Sequence, residues 1–449
     1  MTSRLILPPI SATLVALGGV CALLVLCFRP VRALAQNGPS TQRISVTAEG
    51  TQANGESTFP AISGDGRFVA FTSSAQNLVA GDTNQVQDVF VKDRESGAIQ
   101  CMSVSTNGAP TWGASYSPSI SGDGQRVAFV SEGVDLVAGD SNQVSDVFVR
   151  DLAAHATVRA SFPPSGHEAN GPSSSPRISA DGRFVAMVSH ASNLVPEDTN
   201  NQPDVFVRDL QTGALERVSL GTGGQQADGP SDGPAISADG RFVAFSSQAS
   251  TLIPDGGSGA ESPVWQVYLR DRANGTTVRV SIAVGGVPVD GHCFSPALSA
   301  DGRFVAFSSQ ARNLIGNDTN EATDVYVRDV QLATTVRASL GLSGQEANGD
   351  CSRPSISADG RFVVFESCAM NIVADSTPEG TSWAYLRDLS NTLTTRLAPP
   401  SSESTVAGGA SSPAISGDGC WVSFSSGEAT LVGGDSNALE DVFLRGPLH

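Results

Sequence analysis

Short apolar strands alternate with turn residues along most of the chain, in a pattern that repeats about every 58 residues. The first copy holds four strand patterns: FPAIS from Phe59, RFVAFTS from Arg67, DVFVKD from Asp88 and IQCMSVS from Ile99. Both faces of strands such as FVAF are apolar, so each sheet must be covered on both sides. The pattern predicts a sheet of four antiparallel strands in every repeat.

A DG pair marks each repeat and predicts a tight hairpin between its first two strands, because Gly accepts a positive φ and Asp bonds the turn backbone. The connections from second to third strand and from fourth strand to the next repeat are much longer. Since strand direction alternates, these long connections emerge on one face, where we expect the binding surface. The seven aspartates are Asp65, Asp123, Asp181, Asp239, Asp301, Asp359 and Asp418.

The two ends of the repeat array complement each other. The last copy stops at DVFLRGPLH, Asp441 to His449, without a fourth strand, whereas QRISVTAEG, Gln42 to Gly50, matches the fourth-strand pattern and precedes the first complete copy. Pairing them removes the exposed edges of an open array. We therefore predict an all-β fold, a seven-bladed β-propeller over residues 42–449 with four antiparallel strands per blade, its ring closed by the N-terminal strand completing the last blade.

The repeat PAISADGRFVAF, Pro234 to Phe245, resembles that of TolB-like (PD40, WD40-like) β-propellers. The resemblance covers residues 42–449, and it implies the propeller fold. Propellers with this repeat serve as envelope proteins, peptidase gates and carbohydrate-active enzymes, so the resemblance leaves the function open.

The N-terminal residues have the features of an export signal. A long apolar run, Leu5 to Phe28, follows Arg4 and precedes Ala33 and Ala35, at the spacing that a signal peptidase accepts. We expect residues 1–35 to be a signal peptide or, alternatively, an uncleaved N-terminal membrane anchor, and residues 36–41 to be a short linker. The protein would then be exported, to the periplasm or the extracellular space.

Acidic residues dominate the charge, with a formal net charge of −18. Affinity for phosphate-rich partners comes largely from Lys and Arg, so this composition argues against nucleic acid and anionic membranes as partners. Contact with a membrane is expected only through an uncleaved N-terminal segment.

The sequence offers no recognisable catalytic constellation, metal-type histidine spacing or nucleophile elbow. We therefore expect a protein that is not an enzyme: an exported, monomeric scaffold that binds a protein or glycan of the cell envelope through its long-loop face. The alternative is a carbohydrate-active enzyme, a lyase or hydrolase, with its site at the channel mouth.

A single site must break a sevenfold pattern, and the fourth and sixth copies differ most from the others. Both have altered loops followed by a tryptophan, Trp265 and Trp383, and DGHCFSP between them supplies His292 and Phe294. We predict that these four residues line one ligand pocket. Drift of tolerant loops is the alternative explanation.

The loop GDTNQVQD and its counterparts place Asp, Asn and Asp at relative positions one, three and seven in five copies. Oxygen ligands of this kind suit Ca²⁺, which makes calcium a possible cofactor. The alternative is that the side chains cap the loop and fix the start of the next strand. The five triplets are Asp82, Asn84 and Asp88; Asp140, Asn142 and Asp146; Asp198, Asn200 and Asp204; Asp318, Asn320 and Asp324; and Asp435, Asn437 and Asp441.

Five cysteines follow the export signal, and an oxidising compartment would permit disulfides. Cys351 lies before the first strand of the sixth copy and Cys368 at the end of its second strand, so we predict a disulfide between them. A bond between Cys293 and Cys351 of neighbouring copies is the alternative.

Overall fold

The computed structural model describes residues 38–253, 264–316, 318–374, 380–398 and 409–449. Gly38–His449 form one compact unit, in which the described strands make seven sheets of four strands each. Every pairing within a sheet is antiparallel. The predicted all-β, seven-bladed propeller is confirmed. The predicted N-terminal signal or anchor lies outside the described residues.

The strands follow one another blade by blade. The first, β1 (Ser40–Arg43), precedes blade one, which comprises β2 (Ser57–Ile62), β3 (Phe68–Ser73), β4 (Asp88–Asp93) and β5 (Ile99–Cys101). Blade two comprises β6 (Ser115–Ile120), β7 (Arg126–Ser131), β8 (Asp146–Asp151) and β9 (Ala156–Arg159). Blade three comprises β10 (Ser173–Ile178), β11 (Phe184–Ser189), β12 (Asp204–Asp209) and β13 (Leu215–Arg217).

The remaining blades repeat this order. Blade four comprises β14 (Ser231–Ile236), β15 (Phe242–Ser247), β16 (Gln266–Asp271) and β17 (Thr276–Arg279). Blade five comprises β18 (Cys293–Leu298), β19 (Phe304–Ser309), β20 (Asp324–Asp329) and β21 (Thr334–Arg337). Blade six comprises β22 (Cys351–Ile356), β23 (Phe362–Ser367), β24 (Trp383–Asp388) and β25 (Leu393–Arg396). Blade seven comprises β26 (Ser411–Ile415), β27 (Val422–Ser426) and β28 (Asp441–Gly446). In the described part of the chain, short 3₁₀ turns lie at Val284–Gly286 and Leu342–Gly344.

The N-terminal strand completes blade seven, as predicted. β1 pairs antiparallel with β28, from Ser40 opposite Gly446 to Arg43 opposite Phe443. The strand is shorter and begins earlier than the predicted Gln42 to Gly50. Beyond its end, the buried Ser45 hydroxyl donates to Asp441 at 2.6 Å. The closing strand is therefore held by side-chain contacts as well as by its ladder.

The second and third strands of each blade are buried on both faces. Val69, Ala70 and Phe71 of β3 have no exposed surface, and the Phe71 ring stacks on Phe90 of β4 with centroids 5.9 Å apart. One apolar cluster joins Val89 and its neighbours in blade one to residues of blade two. Successive blades thus share their cores, as the apolar pattern on both strand faces requires.

Backbone hydrogen bonds between residues at or just before the DG pairs form a belt around the ring. The Gly64 amide of blade one donates to the Gly122 carbonyl of blade two at 2.9 Å. A Cβ on Gly64 would lie 3.0 Å from that oxygen, so the position admits only small residues. The equivalent bonds, 2.9–3.1 Å long, join Gly122 to Ala180, Asp181 to Ala238, Ala238 to Ala300, Ala300 to Ala358, Ala358 to Gly417 and Asp418 to Gly64.

In blades one to six, an arginine one or two residues after the DG pair has a structural role, whereas blade seven has Cys420 after the pair. Arg67 Nη2 lies 2.7 Å from Asp93 Oδ2 at the end of the third strand, and this contact holds the pKa of Asp93 well below its usual value. The ion pair clamps the short-turn end of the blade. The same pair occurs between Arg126 and Asp151, Arg183 and Asp209, Arg241 and Asp271, Arg303 and Asp329, and Arg361 and Asp388.

We predict that deleting Thr41 to Gly50 destabilises the whole ring. The deletion removes the β1 ladder, the contact of Ser45 with Asp441, and Ile44, which is buried at 2% exposure. Hydrogen bonds contribute about 0.5–1.5 kcal/mol each and a buried Ile about 1.5–3 kcal/mol, so the cost should be several kcal/mol. Thermal unfolding measures it, and an unchanged melting temperature would contradict this closure.

We also predict that Gly240→Ala is more destabilising than Gly213→Ala. Both glycines have a positive φ, 73° and 75°, so the backbone strain of the two substitutions matches. A Cβ at Gly240 would overlap the Phe184 ring of the preceding blade, whereas Gly213 has nothing within 4 Å. Overpacking costs about 1–3 kcal/mol, which should appear as the difference between the variants in denaturant unfolding. Equal losses would show that the interblade contact is unimportant.

Candidate functional site at the channel mouth

The first strands of the seven blades surround a central cavity of about 500 Å³. Each of these strands contains a bulge at a residue that precedes proline and has a positive φ of 51–59°. The described charged residues that line the cavity are Arg177 and Arg353. In an acidic chain, the cavity wall therefore carries positive charge. The bulged residues are Phe59, Ser117, Ser175, Gly233, Ser295, Arg353 and Ser412.

A second cavity, of about 440 Å³, opens beside the first between blades four and five. The two share Gly233 and Ser295 as lining residues. Three residues predicted from the sequence, Trp265, His292 and Phe294, lie together in its wall. Asp232, Ser246 and Gln310 supply polar groups to the same wall. This aromatic pocket lies at the long-loop end of the inner strands.

The backbone of Trp265 fixes the orientation of the His292 ring. The Trp265 amide donates to His292 Nδ1 at 3.1 Å, and the Trp265 carbonyl accepts from the Cys293 amide at 2.7 Å. Because Nδ1 accepts a hydrogen bond, the neutral ring carries its hydrogen on Nε2. His292 is thus held as a hydrogen-bond donor through Nε2.

Trp383, the fourth predicted residue, does not line this pocket. Its side chain is fully buried, and the Arg396 guanidinium lies 5.6 Å from the centre of its ring. Trp383 is the first residue of β24, whereas Trp265 precedes the first residue of β16 by one position. Successive strand residues point to opposite faces, so the two tryptophans point in different directions.

Two carboxylates that the sequence analysis missed lie beside the channel at blades six and seven. The Glu366 carboxylate accepts the Ser412 amide and lies 3.4 Å from the Arg353 guanidinium. The Glu440 carboxylate accepts the Ser411 hydroxyl at 2.9 Å. Burial, and more weakly the charges of nearby carboxylates, raise the pKa of Glu440. Consecutive residues of one inner strand thus position two acids, one of which holds its proton more strongly than usual.

The five acidic triplets lie at the outer side of the blades, and their last aspartate is fully buried in each. In blade two, Asp146 accepts the Ser161 hydroxyl, and the Arg159 guanidinium lies 3.1 Å from Asp146 and 2.8 Å from Asp140. Asn142 also donates to Asp146 at 2.9 Å. The loop is thus linked to the start of the third strand. The two equivalent loops of blades four and six fall at residues 254–263 and 375–379, outside the described residues.

The same arginine contacts both aspartates in three other blades. These pairs comprise Arg217 with Asp198 and Asp204, Arg337 with Asp318 and Asp324, and Arg43 with Asp435 and Asp441. Blade one differs, because Cys101 lies where the others have arginine. There, burial raises the pKa of Asp88 to about 6, despite its hydrogen bonds from Ser103 and Asn84. Within the described ranges, no cluster of three or more His, Cys, Asp or Glu side chains could hold a metal ion.

The predicted disulfide between Cys351 and Cys368 is absent from the structure, in which both are free thiols. Cys351 lies opposite Ser367, to whose hydroxyl it donates at 3.1 Å. Cys368 follows one residue later and contacts the Asp350 carbonyl instead. Cys351 takes the place of a serine that bonds a serine across the strands in other blades, such as Ser173 and Ser189. The alternative partner, Cys293, does the same with Ser309 at 3.1 Å.

Within the described residues, no helix has the length and apolar character that crossing a membrane requires. The apolar run of residues 5–28 falls outside those residues, so its expected export role stays a prediction.

Comparison with known proteins shows the fold through solved structures. An oligogalacturonate lyase in complex with manganese has a TM-score of 0.55 at 14% identity, covering 92% of this chain and 94% of that one. An acylaminoacyl peptidase of Pyrococcus horikoshii has a TM-score of 0.50 at 13% identity, covering 83% and 49%. A TolB of Agrobacterium tumefaciens has a TM-score of 0.41 at 17% identity, covering 69% and 87%. No family model and no curated protein matches the chain.

These comparisons correct one expectation, and the fold agrees with another. The expectation that the protein is not an enzyme was wrong as an argument from the fold, because a lyase and a peptidase share this architecture. The resemblance of the repeat to TolB-like propellers fits the seven-bladed ring.

We predict that Cys351 and Cys293 are free but unreactive in the native protein. Both side chains are fully buried, and burial raises the pKa of each thiol, which leaves little reactive thiolate. Alkylation before and after denaturation, without reductant, followed by peptide mapping, should label both only after unfolding. A disulfide-linked peptide that contains Cys351 and Cys368 would contradict the structure.

Proposed function

We propose that the protein is a carbohydrate-active enzyme, a lyase or hydrolase, with its site at the channel mouth on the long-loop face. The observation that carries the proposal is the pair of carboxylates, Glu366 and Glu440, held by Ser412 and Ser411 next to Arg353. Enzymes that cleave glycosidic bonds commonly use two carboxylic acids in different environments, one as the acid and the other as the base or nucleophile.

The two carboxylates differ in a way that suits separate roles. Burial raises the pKa of Glu440, so this group is suited to carry a proton to the leaving oxygen. Glu366 accepts a hydrogen bond from a backbone amide and lies beside the Arg353 guanidinium, and we assign it the role of base or nucleophile. The Arg353 side chain is 55% exposed and can also contact a substrate in the channel.

The aromatic pocket supports binding of a sugar ring. Trp265 and Phe294 provide apolar ring surfaces, and Asp232, Gln310 and the Nε2 hydrogen of His292 provide hydrogen-bonding groups. Ligand pockets commonly combine apolar walls with a few placed polar groups in this way. The pocket would bind a part of the glycan away from the carboxylates, since the channel lies between them.

An anionic glycan is the substrate class to test first. Arg177 and Arg353 give the channel wall its charge, and both can pair with carboxylates. The oligogalacturonate lyase that shares the fold is named for such a glycan. We therefore infer that oligogalacturonate is a suitable probe of activity.

The proposed location of this activity is outside the cytoplasm, in the periplasm or the extracellular space. The apolar run from Leu5 to Phe28, with Ala33 and Ala35 after it, supports export, and so does the strongly acidic composition. The partner of the protein is then a glycan of the envelope or the surroundings.

We predict that Glu440→Gln and Glu366→Gln each lower the rate of oligogalacturonate cleavage by about 10²–10⁴-fold, the usual contribution of a general acid or base. Product analysis separates the two reaction types: elimination leaves a carbon–carbon double bond that absorbs ultraviolet light, whereas hydrolysis adds water and leaves none. The wild-type rate should fall as the pH rises through the raised pKa of Glu440, because the acid then loses its proton.

Two variants serve as controls. Glu95→Gln changes an exposed carboxylate on the short-turn face and should leave the rate unchanged. Trp265→Ala should raise KM more than it lowers kcat, because the pocket contributes binding rather than chemistry. The proposal fails if the Glu440 and Glu366 variants retain full activity, or if the wild-type protein cleaves none of a panel of anionic and neutral glycans.

A further inference from the structure

Blade one lacks the cation that neutralises the buried aspartates in the other described acidic loops. In blade two, Phe148 lies opposite Arg159, whose guanidinium contacts Asp140 and Asp146. The equivalent pair in blade one is Phe90 and Cys101. The difference is confined to one position in the fourth strand.

A second substitution in blade one removes the partner of that arginine. Nine residues after the arginine, the other loops have Glu168, Gln226, Glu346 or Gln52, which contact the arginine or the first aspartate at 2.7–2.9 Å. Blade one has Pro110, whose side chain has no polar atom. The two losses together leave the negative charge of the aspartates without the arginine and its partner.

The aspartates themselves remain in place and are buried. Asp82 is 5% exposed and Asp88 is not exposed at all. Asp88 accepts the Ser103 hydroxyl at 2.5 Å and the Asn84 amide at 2.7 Å, whereas Asp82 Oδ1 has no hydrogen-bond partner among the described residues. The equivalent oxygens of Asp140 and Asp318 also lack a hydrogen bond, but an arginine lies beside each of those carboxylates. Among the described residues Asp82 has no such cation, and a buried carboxylate without a counterion is costly, so its place in blade one can take a cation as ligand.

Neighbouring cations are engaged elsewhere. The Lys92 ammonium donates to the carbonyls of Val46, Thr47 and Gly97 at 2.7–3.2 Å, which uses all three of its hydrogens. The Arg150 guanidinium of blade two donates to the Thr157 hydroxyl at 3.0 Å. Neither side chain contacts Asp82 or Asp88.

We propose that a calcium ion binds between Asp82 and Asp88, in the place that the arginine guanidinium takes in blades two, three, five and seven. Carboxylate oxygens are the ligands that Ca²⁺ prefers, and water completes its shell. The Cys101 sulfur is too soft a ligand for this ion and lines the space without binding it. Of the five loops that the sequence suggests as calcium sites, only the loop of blade one lacks the arginine, and the proposed ion binds there.

Thermal unfolding in excess Ca²⁺ and in EDTA tests the proposal on the whole chain. We expect Ca²⁺ to raise the melting temperature by about 2–5 °C, because a ligand that binds only the folded state stabilises it. Cys101→Arg, which restores the arginine of the other blades, should remove the response. Asp82→Asn should remove it too, whereas the matched change in blade two, Asp140→Asn, should leave it intact.

Titration calorimetry with Ca²⁺ keeps the test decisive if a variant does not fold. We expect one binding site per wild-type chain and no binding to whichever of Cys101→Arg and Asp82→Asn folds. The proposal is overturned if Ca²⁺ neither binds nor stabilises the wild-type protein, if the response survives both substitutions, or if Zn²⁺ gives the response and Ca²⁺ does not. Because blade one is distinct from the carboxylates at blades six and seven, these outcomes are independent of the glycan activity.

Discussion

Closure of the ring is the constraint on which the rest of this structure depends. Each sheet is apolar on both faces, so no blade can be stable without a neighbour on either side, and the first and last blades must therefore meet. Two devices join them: the pairing of β1 with β28, and the belt of turn hydrogen bonds that returns from Asp418 to Gly64. The repeated SADGRF pattern follows from this need. Its small residue permits the belt, its glycine accepts the ring of the preceding blade, and its arginine clamps the third strand.

Most of the sequence forms the repeated blades, so the candidate functional residues lie where one repeat differs from the others. Within the inner strands, the departures place Arg353 at the channel, where other blades have residues such as Ser117 and Ser295, and leave Glu366 where other blades have small or apolar residues such as Ser246 and Val188. Each departure changes one side chain and keeps the strand register. A rigid ring can therefore vary its channel mouth without loss of packing.

The length of the repeat and the turn residues that separate its strands were enough to predict the fold. Hairpin turns and strands that are apolar on both faces are local features of the sequence. The aromatic pocket was predicted in part. Trp265, His292 and Phe294 come from loops that visibly break the repeat, whereas Trp383 lies one register position away from Trp265 and so points into the core. The same sensitivity to register affects the cysteines, since Cys351 lies opposite Ser367 rather than Cys368.

Other parts of the site could not be predicted, because they depend on contacts between distant residues. Glu366 and Glu440 are 74 positions apart in the sequence. Glu366 is a single change within β23 and Glu440 directly precedes β28, and only the packing of blade six on blade seven brings them to consecutive serines. The arginine that pairs with the acidic loops was missed for the same reason, although a signal was present: QRI, VRA and ERV recur in the fourth strands, and QCM in blade one does not fit them.

Compensation of buried charge links the two proposed sites. Desolvation of a carboxylate is costly unless a cation or several donors balance it, and the chain supplies that balance with an arginine in the acidic loops of blades two, three, five and seven. Among the described residues, the acidic loop of blade one has no arginine beside its aspartates, and Glu440 has other acids rather than an arginine as its neighbours. An unbalanced buried acid must keep a proton or take up a cation. A proton on Glu440 provides acid chemistry, and a cation on blade one provides stability, so one electrostatic rule leads to both inferences.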